Sequence, residues 1–198
     1  MEKDRLHQQM EFLLEADKAK EVMRQTYISS GKRKENDAEH SWHLALMGML
    51  LNEHANEQID ILRVIKMVLI HDLVEIDAGD TYAYDIEGND TKRRREVAAA
   101  ERLFHLLPKD QEKDMWELWE EFEAGKSPEA RFALALDKVQ PVMLNHAAGG
   151  KSWREHGVAL EQIIKRNELT PEGSRPLWDY AREMIDENVA KGNIKSGE

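Results

Sequence analysis

The chain has 198 residues, of which 41% are hydrophobic, enough for one domain with a buried core. A formal net charge of -11 argues against binding to a nucleic-acid polymer, which depends on clustered Lys and Arg. The absence of cysteine excludes disulfides and thiolate ligands, so any bound metal must have nitrogen and oxygen ligands. The N-terminus lacks the apolar segment of a secretory signal, and no stretch looks able to span a membrane. We therefore expect a soluble, cytoplasmic protein.

The spacing of apolar residues predicts helices along the whole chain, and no alternating strand pattern persists. The third predicted helix is apolar on nearly every face and should be central. Glycine and proline separate the segments, and Ser152 has the spacing of a capping box at the start of another helix. In chain order the expected helices cover about 4–28, 38–54, 58–77, 90–108, 109–124, 128–147, a segment from Ser152 onward, and 176–190.

These elements predict an all-α fold, a compact helical bundle forming a single domain. We expect this domain to cover residues 1–192. Residues 193–198 are expected to form a flexible tail, since few apolar side chains follow the last helix.

The third predicted helix carries His71, Asp72 and Glu75 among apolar residues. Burying an unpaired carboxylate is costly, so these groups must be paired, coordinated to a cation or directed into a cleft. Adjacent residues point about 100° apart on a helix, so His71 and Asp72 can both reach one ion beside it. The local sequence offers no basic residue that could neutralise the cluster. A metal ion is therefore the favoured explanation.

Two further residues strengthen this hypothesis. His40 begins the second predicted helix, and Asp137 lies within another mostly apolar helix. Taken singly, a histidine on an apolar helix is more often a core residue than a ligand, and the His71-Asp72 pair is weak evidence. The combination is more informative, because two apolar helices each carry acidic residues that packing does not require.

Three runs of sequence resemble the HD-domain superfamily of metal-dependent phosphohydrolases. They are Glu35–Trp42, Ile70–Glu75 with the following Gly79-Asp80, and Leu136-Asp137. Within that superfamily the chain is most similar to the 5′-deoxynucleotidase branch, over roughly residues 33–145. The resemblance implies the HD-domain fold and a homodimer.

The resemblance also implies roles for single residues. Glu75 and Asp80 match the acidic residues that position or activate water, and Arg33 matches a basic position near the substrate phosphate. The family's four metal ligands correspond to His40, His71, Asp72 and Asp137. This ligand set suits one divalent ion, such as Mn²⁺, Co²⁺, Fe²⁺, Ni²⁺, Zn²⁺ or Mg²⁺, without selecting among them.

The activity that the resemblance implies is release of phosphate from (deoxy)nucleoside 5′-monophosphates. The branch also has an Arg-Trp pair that contacts the nucleotide, where this chain has Gln25-Thr26, with Arg24 one position away. That departure leaves open another nucleotide phosphoester, cyclic or alarmone, or a module that binds metal and nucleotide without turnover. The basic run Lys92–Arg95 is expected to be a solvated face paired with Glu96 and Glu101, the alternative being one arginine that contacts phosphate.

Overall fold

The computed structural model describes residues 4–79 and 86–196, with side chains from residue 91 onward in the second range. It confirms the all-α fold class, apart from one small two-stranded sheet. Among the described residues, no helix is both long and apolar enough to cross a membrane. The helices are α1 Arg5–Ala16, α2 Asp37–Leu51, α3 Ile61–Ile70, α4 Glu75–Ala78, α5 Ile86–Phe104, α6 Lys109–Ala124, α7 Pro128–Ala147, α8 Lys151–His156, α9 Leu160–Arg166, α10 Thr170–Gly173 and α11 Arg175–Ala190.

The first predicted helix is too long. Helix α1 ends at Ala16, a short 3₁₀ helix Asp17–Lys20 follows, and the chain then forms strand β1, Met23–Tyr27. This strand pairs antiparallel with β2, Lys34–Asn36, in a ladder with an irregularity between its two ends. A three-residue strand is too short to show alternation in the sequence, which is why the sheet was not predicted.

The third predicted helix is interrupted. Asp60 caps α3 by accepting from two backbone amides, and the helix ends at Ile70. A tight turn follows, in which the Glu75 amide donates to the Asp72 carbonyl at 2.9 Å, and α4 begins at Glu75. His71 and Asp72 therefore lie at the carboxyl end of α3, in the turn between two helices.

Helix α7, rather than α3, occupies the centre of the bundle. It packs against α2, α3, α6, α10 and α11, and Phe132 and Leu136 are fully buried on it. On α3, Leu62 and Leu69 are exposed, so an apolar side chain there does not mean burial. Close packing against α7 is visible at Gly173, because an added Cβ would lie 2.1 Å from the Arg131 carbonyl oxygen.

The later helices agree partly with prediction. Helix α6 ends at Gly125 in the left-handed conformation, and Ser127 caps α7 with Pro128 at its first position, as expected. The capping role predicted for Ser152 is wrong: α8 begins one residue earlier, and the Ser152 hydroxyl donates to the Gln25 carbonyl. Helices α9 and α10 were not predicted.

Residues 193–196 were expected to belong to the flexible tail, but the structure holds part of this segment. Ile194 is buried, and the Lys195 backbone pairs with Val158 and Leu160. Residues 197 and 198 lie outside the described part of the chain. The domain limits themselves stay a prediction.

Candidate metal centre

Three elements bring four predicted residues together at the carboxyl end of α3. His40 comes from the first turn of α2, His71 and Asp72 from the turn after α3, and Asp137 from the middle of α7. A capping box between Asn36 and Glu39 fixes the start of α2, and His40, the residue after Glu39, is buried in the core. Both imidazoles and Asp137 are buried, and the Asp72 side chain is 13% exposed.

The donor atoms of these residues are spaced as ligands of one ion. Asp72 Oδ2 lies 3.1 Å from His71 Nε2 and 3.8 Å from His40 Nε2. Asp137 Oδ1 lies 3.1 Å from His40 Nε2 and 3.8 Å from His71 Nε2. Atoms that share an ion at bond lengths of about 2.0–2.2 Å lie about 3–4 Å apart, so the spacing fits.

The two imidazole rings are oriented for coordination. His71 Nδ1 lies 2.9 Å from the Val68 carbonyl oxygen, to which only an N–H can donate. This leaves His71 Nε2, which is buried without a hydrogen-bond partner, directed at the cluster. His40 Nδ1 lies 3.5 Å from Glu35 Oε2, an ion-pair distance without a hydrogen bond, and Gln140 donates to the other oxygen of that carboxylate at 2.7 Å. Such outer partners are what fix the tautomer of metal-binding histidines.

Glu75 lies beside the cluster. Its carboxylate is buried at the start of α4, and one oxygen each from Asp37, Asp72 and Glu75 lie within 4.8 Å of one another. Asp37 was not predicted as a site residue. Asp80, predicted as the second acidic residue, lies outside the described residues.

Two basic side chains, missed from the sequence, neutralise part of this charge. Arg24 of β1 is buried, and its Nη1 donates to Asp72 Oδ2 at 2.6 Å and to Asp37 Oδ1 at 3.0 Å. Lys138 Nζ donates to Asp137 Oδ2 at 2.7 Å. The expectation concerned only the local sequence around His71 and Asp72, whereas Arg24 reaches the cluster from 48 residues away in sequence.

The electrostatic environment separates the acids from the bases. Burial raises the pKa of Asp72, but His71 and Arg24 together lower it by more. Burial likewise raises the pKa of Asp137, but Lys138 and His40 together lower it by more. Both carboxylates therefore stay ionised. Burial lowers the pKa of His71, but Asp72 and Asp137 raise it to about 10. Without an ion, His71 therefore holds a proton at neutral pH. Once His71 loses this proton, its Nε2 and the two ionised carboxylates are a donor set that fits a divalent cation.

The proton on His71 predicts pH-dependent metal binding. A ligand imidazole must be neutral, so binding has to displace this proton at any pH below about 10. We expect release of about one proton per ion at pH 7.5, and an apparent affinity that rises about tenfold per pH unit. Calorimetry with Mn²⁺ in buffers of different ionisation enthalpy measures the release, with exposed His105→Gln as control. Absence of proton release would contradict this ligand set.

Arg33 does not join the four-residue cluster in the structure. Its guanidinium makes a bidentate pair with Glu39 at 2.7 Å for both bonds, and its side chain is half exposed.

The basic run on α5 is mostly paired, with Lys92 bound to Glu96 and Arg93 bound to Glu120. Arg95 donates to the Ala78 carbonyl. The expected pairing with Glu96 is observed for Lys92, whereas Arg93 pairs with Glu120 instead of the expected Glu101.

The fold and this cluster define a helical protein with a buried site of two imidazoles and two carboxylates. Residues 16–178 match the family model described as HD domain, so the chain belongs to the HD domain family. A predicted metal-dependent phosphohydrolase from Magnetospirillum magnetotacticum MS-1 is similar in structure, with a TM-score of 0.92 and 47% identity over 96% of this chain and 95% of that one.

Curated relatives share the family at lower identity. The 5′-deoxynucleotidase HDDC2 of Bos taurus is 32% identical over 68% of this chain and 64% of its own length. The human protein of that name is 30% identical over 68% of this chain and 65% of its own length. The chain thus spans less than two thirds of the length of these relatives.

Proposed function

We propose that this chain is a metal-dependent phosphohydrolase that releases phosphate from deoxynucleoside 5′-monophosphates. The observation that carries the proposal is the convergence of His40, His71, Asp72 and Asp137 on one buried point, with Glu75 beside them. The names of the curated relatives support the substrate class. These four residues would hold one divalent ion, whose identity their nitrogen and oxygen donors leave open.

When bound, the ion supplies a Lewis acid that polarises a phosphate oxygen and lowers the pKa of water. The chain's own groups do the remaining work. Glu75 accepts a proton from the attacking water or orients it, since its buried carboxylate lies next to Asp72. The Val68 carbonyl accepts from the His71 ring and holds it, and the Glu35 carboxylate, which accepts from Gln140, faces the His40 ring at 3.5 Å. The role expected for Asp80 stays a prediction.

Arg24 lies next to the position of the missing Arg-Trp pair. That pair of the deoxynucleotidase branch is absent from Gln25-Thr26, but strand β1 places the neighbouring Arg24 in contact with Asp72. Its guanidinium is buried and bonded to Asp72 and Asp37. The choice of a nucleotidase over a cyclic or alarmone phosphoesterase, or a module without turnover, therefore rests on the names of the curated relatives.

A metal-by-substrate matrix tests the proposal. Purified protein is stripped with a chelator, reloaded singly with Mn²⁺, Co²⁺, Fe²⁺, Ni²⁺, Zn²⁺ or Mg²⁺, and assayed against deoxynucleoside and ribonucleoside monophosphates. We expect phosphate release from the deoxynucleotides only after reloading. Turnover of a cyclic or alarmone nucleotide in their place, or tight binding without turnover under every metal, would replace the proposal by the corresponding alternative.

We also propose that a second copy of the chain is a partner, giving the homodimer expected from the resemblance. Exposed apolar side chains at helical spacing line one face of α2: Trp42, Leu46, Met49 and Leu50. Contiguous exposed apolar surface of this kind marks an interface more often than a free surface. The cytoplasmic location expected from the sequence stays a prediction.

Met49→Glu should convert such a dimer to monomer, because a charge would be buried at the interface. Light scattering after gel filtration measures the mass. Leu62→Glu is the matched control, since Leu62 is equally exposed but lies on α3. A wild-type protein that is monomeric at all concentrations would contradict the dimer.

A further inference from the structure

A cavity of about 210 Å³ lies against one face of α7, where the end of α6 and the segment from α9 to α10 meet that helix. Arg131, Leu134 and Lys138 line it from α7, at the spacing of residues that share a helix face. This volume is roughly seven times the ~30 Å³ that one water molecule takes up, but below the ~300–1,000 Å³ typical of a pocket for a whole ligand. The cavity therefore suits one part of a larger molecule.

The cavity adjoins the candidate metal centre through two helices. Lys138 of α7 lines the cavity, and its Nζ donates to Asp137 Oδ2 at 2.7 Å. The ring of Phe122 on α6 packs against the His71 imidazole with the ring centroids 4.7 Å apart, and the next residue, Glu123, lines the cavity. Each helix thus carries both a contact to a predicted ligand and part of the cavity wall. A molecule held at the metal centre by one end can place its other end here.

The lining combines opposite charges with an apolar wall. Four basic side chains and three glutamates line the cavity, so their charges nearly cancel. Leu134 and Leu169 add apolar surface, and Leu169 is 62% exposed. A second phosphate group would meet the three carboxylates, which repel it. The lining instead suits a neutral group with an apolar face and polar edges.

Arg166 is the lining residue best placed to hold such a group. It lies at the end of α9, is partly buried, and pairs with no carboxylate in the described ranges 4–79 and 91–196. Arg131, by contrast, is held by Glu57 and by the Lys126 carbonyl. A guanidinium is planar, and nucleic-acid bases stack on such planes in proteins. The side chain of Arg166 therefore offers a surface for a flat ring in the cavity.

We propose that this cavity receives the nucleobase of the substrate, which stacks on Arg166 and contacts Leu134 and Leu169, while the phosphate group lies at the metal centre. The polar edges of the base then face charged side chains that donate and accept hydrogen bonds. The inference rests on the proposed function, since it concerns the substrate of the same reaction. It assigns α9 and α10 to substrate recognition.

The test uses two probes that each carry one part of the substrate. Deoxyadenosine has a base but no phosphate, and inorganic phosphate has no base. Binding of each probe to the Mn²⁺-loaded full chain is measured by calorimetry. Arg166→Met removes the planar group, and Ala124→Phe fills the cavity from the exposed last residue of α6.

Each variant has a control of the same chemistry on α11. Arg182→Met removes an arginine that pairs with Asp186 on the surface of that helix. Ala190→Phe places the same ring on its exposed last residue. Metal content and the unfolding midpoint are measured for all four proteins, so that loss of the ion or of the fold is recognised separately.

We expect Arg166→Met and Ala124→Phe each to weaken deoxyadenosine binding about tenfold, and phosphate binding by less than about twofold. Both control variants should bind the two probes as wild type does. Arg166→Lys should recover little, because an ammonium group offers no plane. In the hydrolysis assay, KM for deoxynucleoside monophosphates should rise more than kcat falls. The rise should be smaller for deoxyribose 5-phosphate, which has no base.

Equal losses for the two probes would overturn the inference and identify the cavity as an anion site. Unchanged deoxyadenosine affinity in both variants would overturn it as well, as would a wild-type protein that does not bind deoxyadenosine at millimolar concentration. Should Ala124→Phe fail to fold, Arg166→Met alone decides.

These outcomes are distinct from failure of the proposed function. Deoxyadenosine binding that both variants weaken, in a protein that hydrolyses no nucleotide, leaves the base site intact and refutes the function. Hydrolysis of deoxynucleotides with a deoxyadenosine affinity that neither variant changes does the reverse.

Discussion

Replacing Asp72 with asparagine is expected to reduce phosphate release at least about 1000-fold and metal affinity at least about 100-fold. Asp72 Oδ2 faces both histidine rings and accepts the Arg24 bond, so it is the atom on which the site converges. Asparagine keeps the shape of the side chain and removes its charge. The loss should therefore come from coordination rather than from packing.

Two measurements separate these causes. Elemental analysis gives the metal content of the purified variant, and kcat/KM is determined with excess Mn²⁺. Asp77→Asn is the matched control. It is the same substitution at a nearby aspartate, but Asp77 pairs with Arg102 at the surface. An Asp72→Asn protein that retains metal and turns over at the wild-type rate would remove Asp72 from the ligand set.

The candidate ligands could be predicted from the sequence because each is a polar residue on an apolar helix, in runs that resemble one family. His40, His71, Asp72 and Asp137 converge in the structure, and Glu75 lies next to them. Their metal-binding roles stay predictions until an ion is measured. Asp80 lies outside the described residues. Arg33 is exposed and pairs with Glu39.

The positive groups could not be predicted in the same way. Arg24 is separated from Asp72 by 48 residues, and it reaches the cluster only because β1 pairs with a three-residue strand. Helical periodicity carries no signal for such a contact. Lys138 is adjacent to a predicted ligand, but the sequence carries no signal that its ammonium group bonds to Asp137 instead of facing solvent.

The break between α3 and α4 could not be predicted from helical periodicity either. The apolar run continues through Val74 and Ile76, so its pattern predicts one helix, whereas the backbone turns at His71. In this turn the Leu73 and Glu75 amides bond three residues back, to the Ile70 and Asp72 carbonyls, instead of four. Local preference was thus overridden where the site required it, as is expected for functional positions.

Arg24→Met should destabilise the metal-free protein by about 3–5 kcal/mol, the usual cost of removing one partner from a buried ion pair. Burial lowers the pKa of Arg24, but Asp72 and Asp37 raise it well above its ordinary value, so the guanidinium stays charged. Methionine fills much of the same volume but leaves Asp37 and Asp72 without this counter-charge.

A divalent ion should offset part of that loss, because it neutralises Asp72 independently of Arg24. The difference between wild type and variant is therefore expected to be larger in chelator than in Mn²⁺, as measured by urea unfolding under both conditions. Arg33→Met is the control, because its pair with Glu39 is at the surface and should contribute little to stability. Equal destabilisation with and without Mn²⁺ would mean that the ion and the guanidinium do not act on the same carboxylate, and would argue against Asp72 as a ligand of the ion.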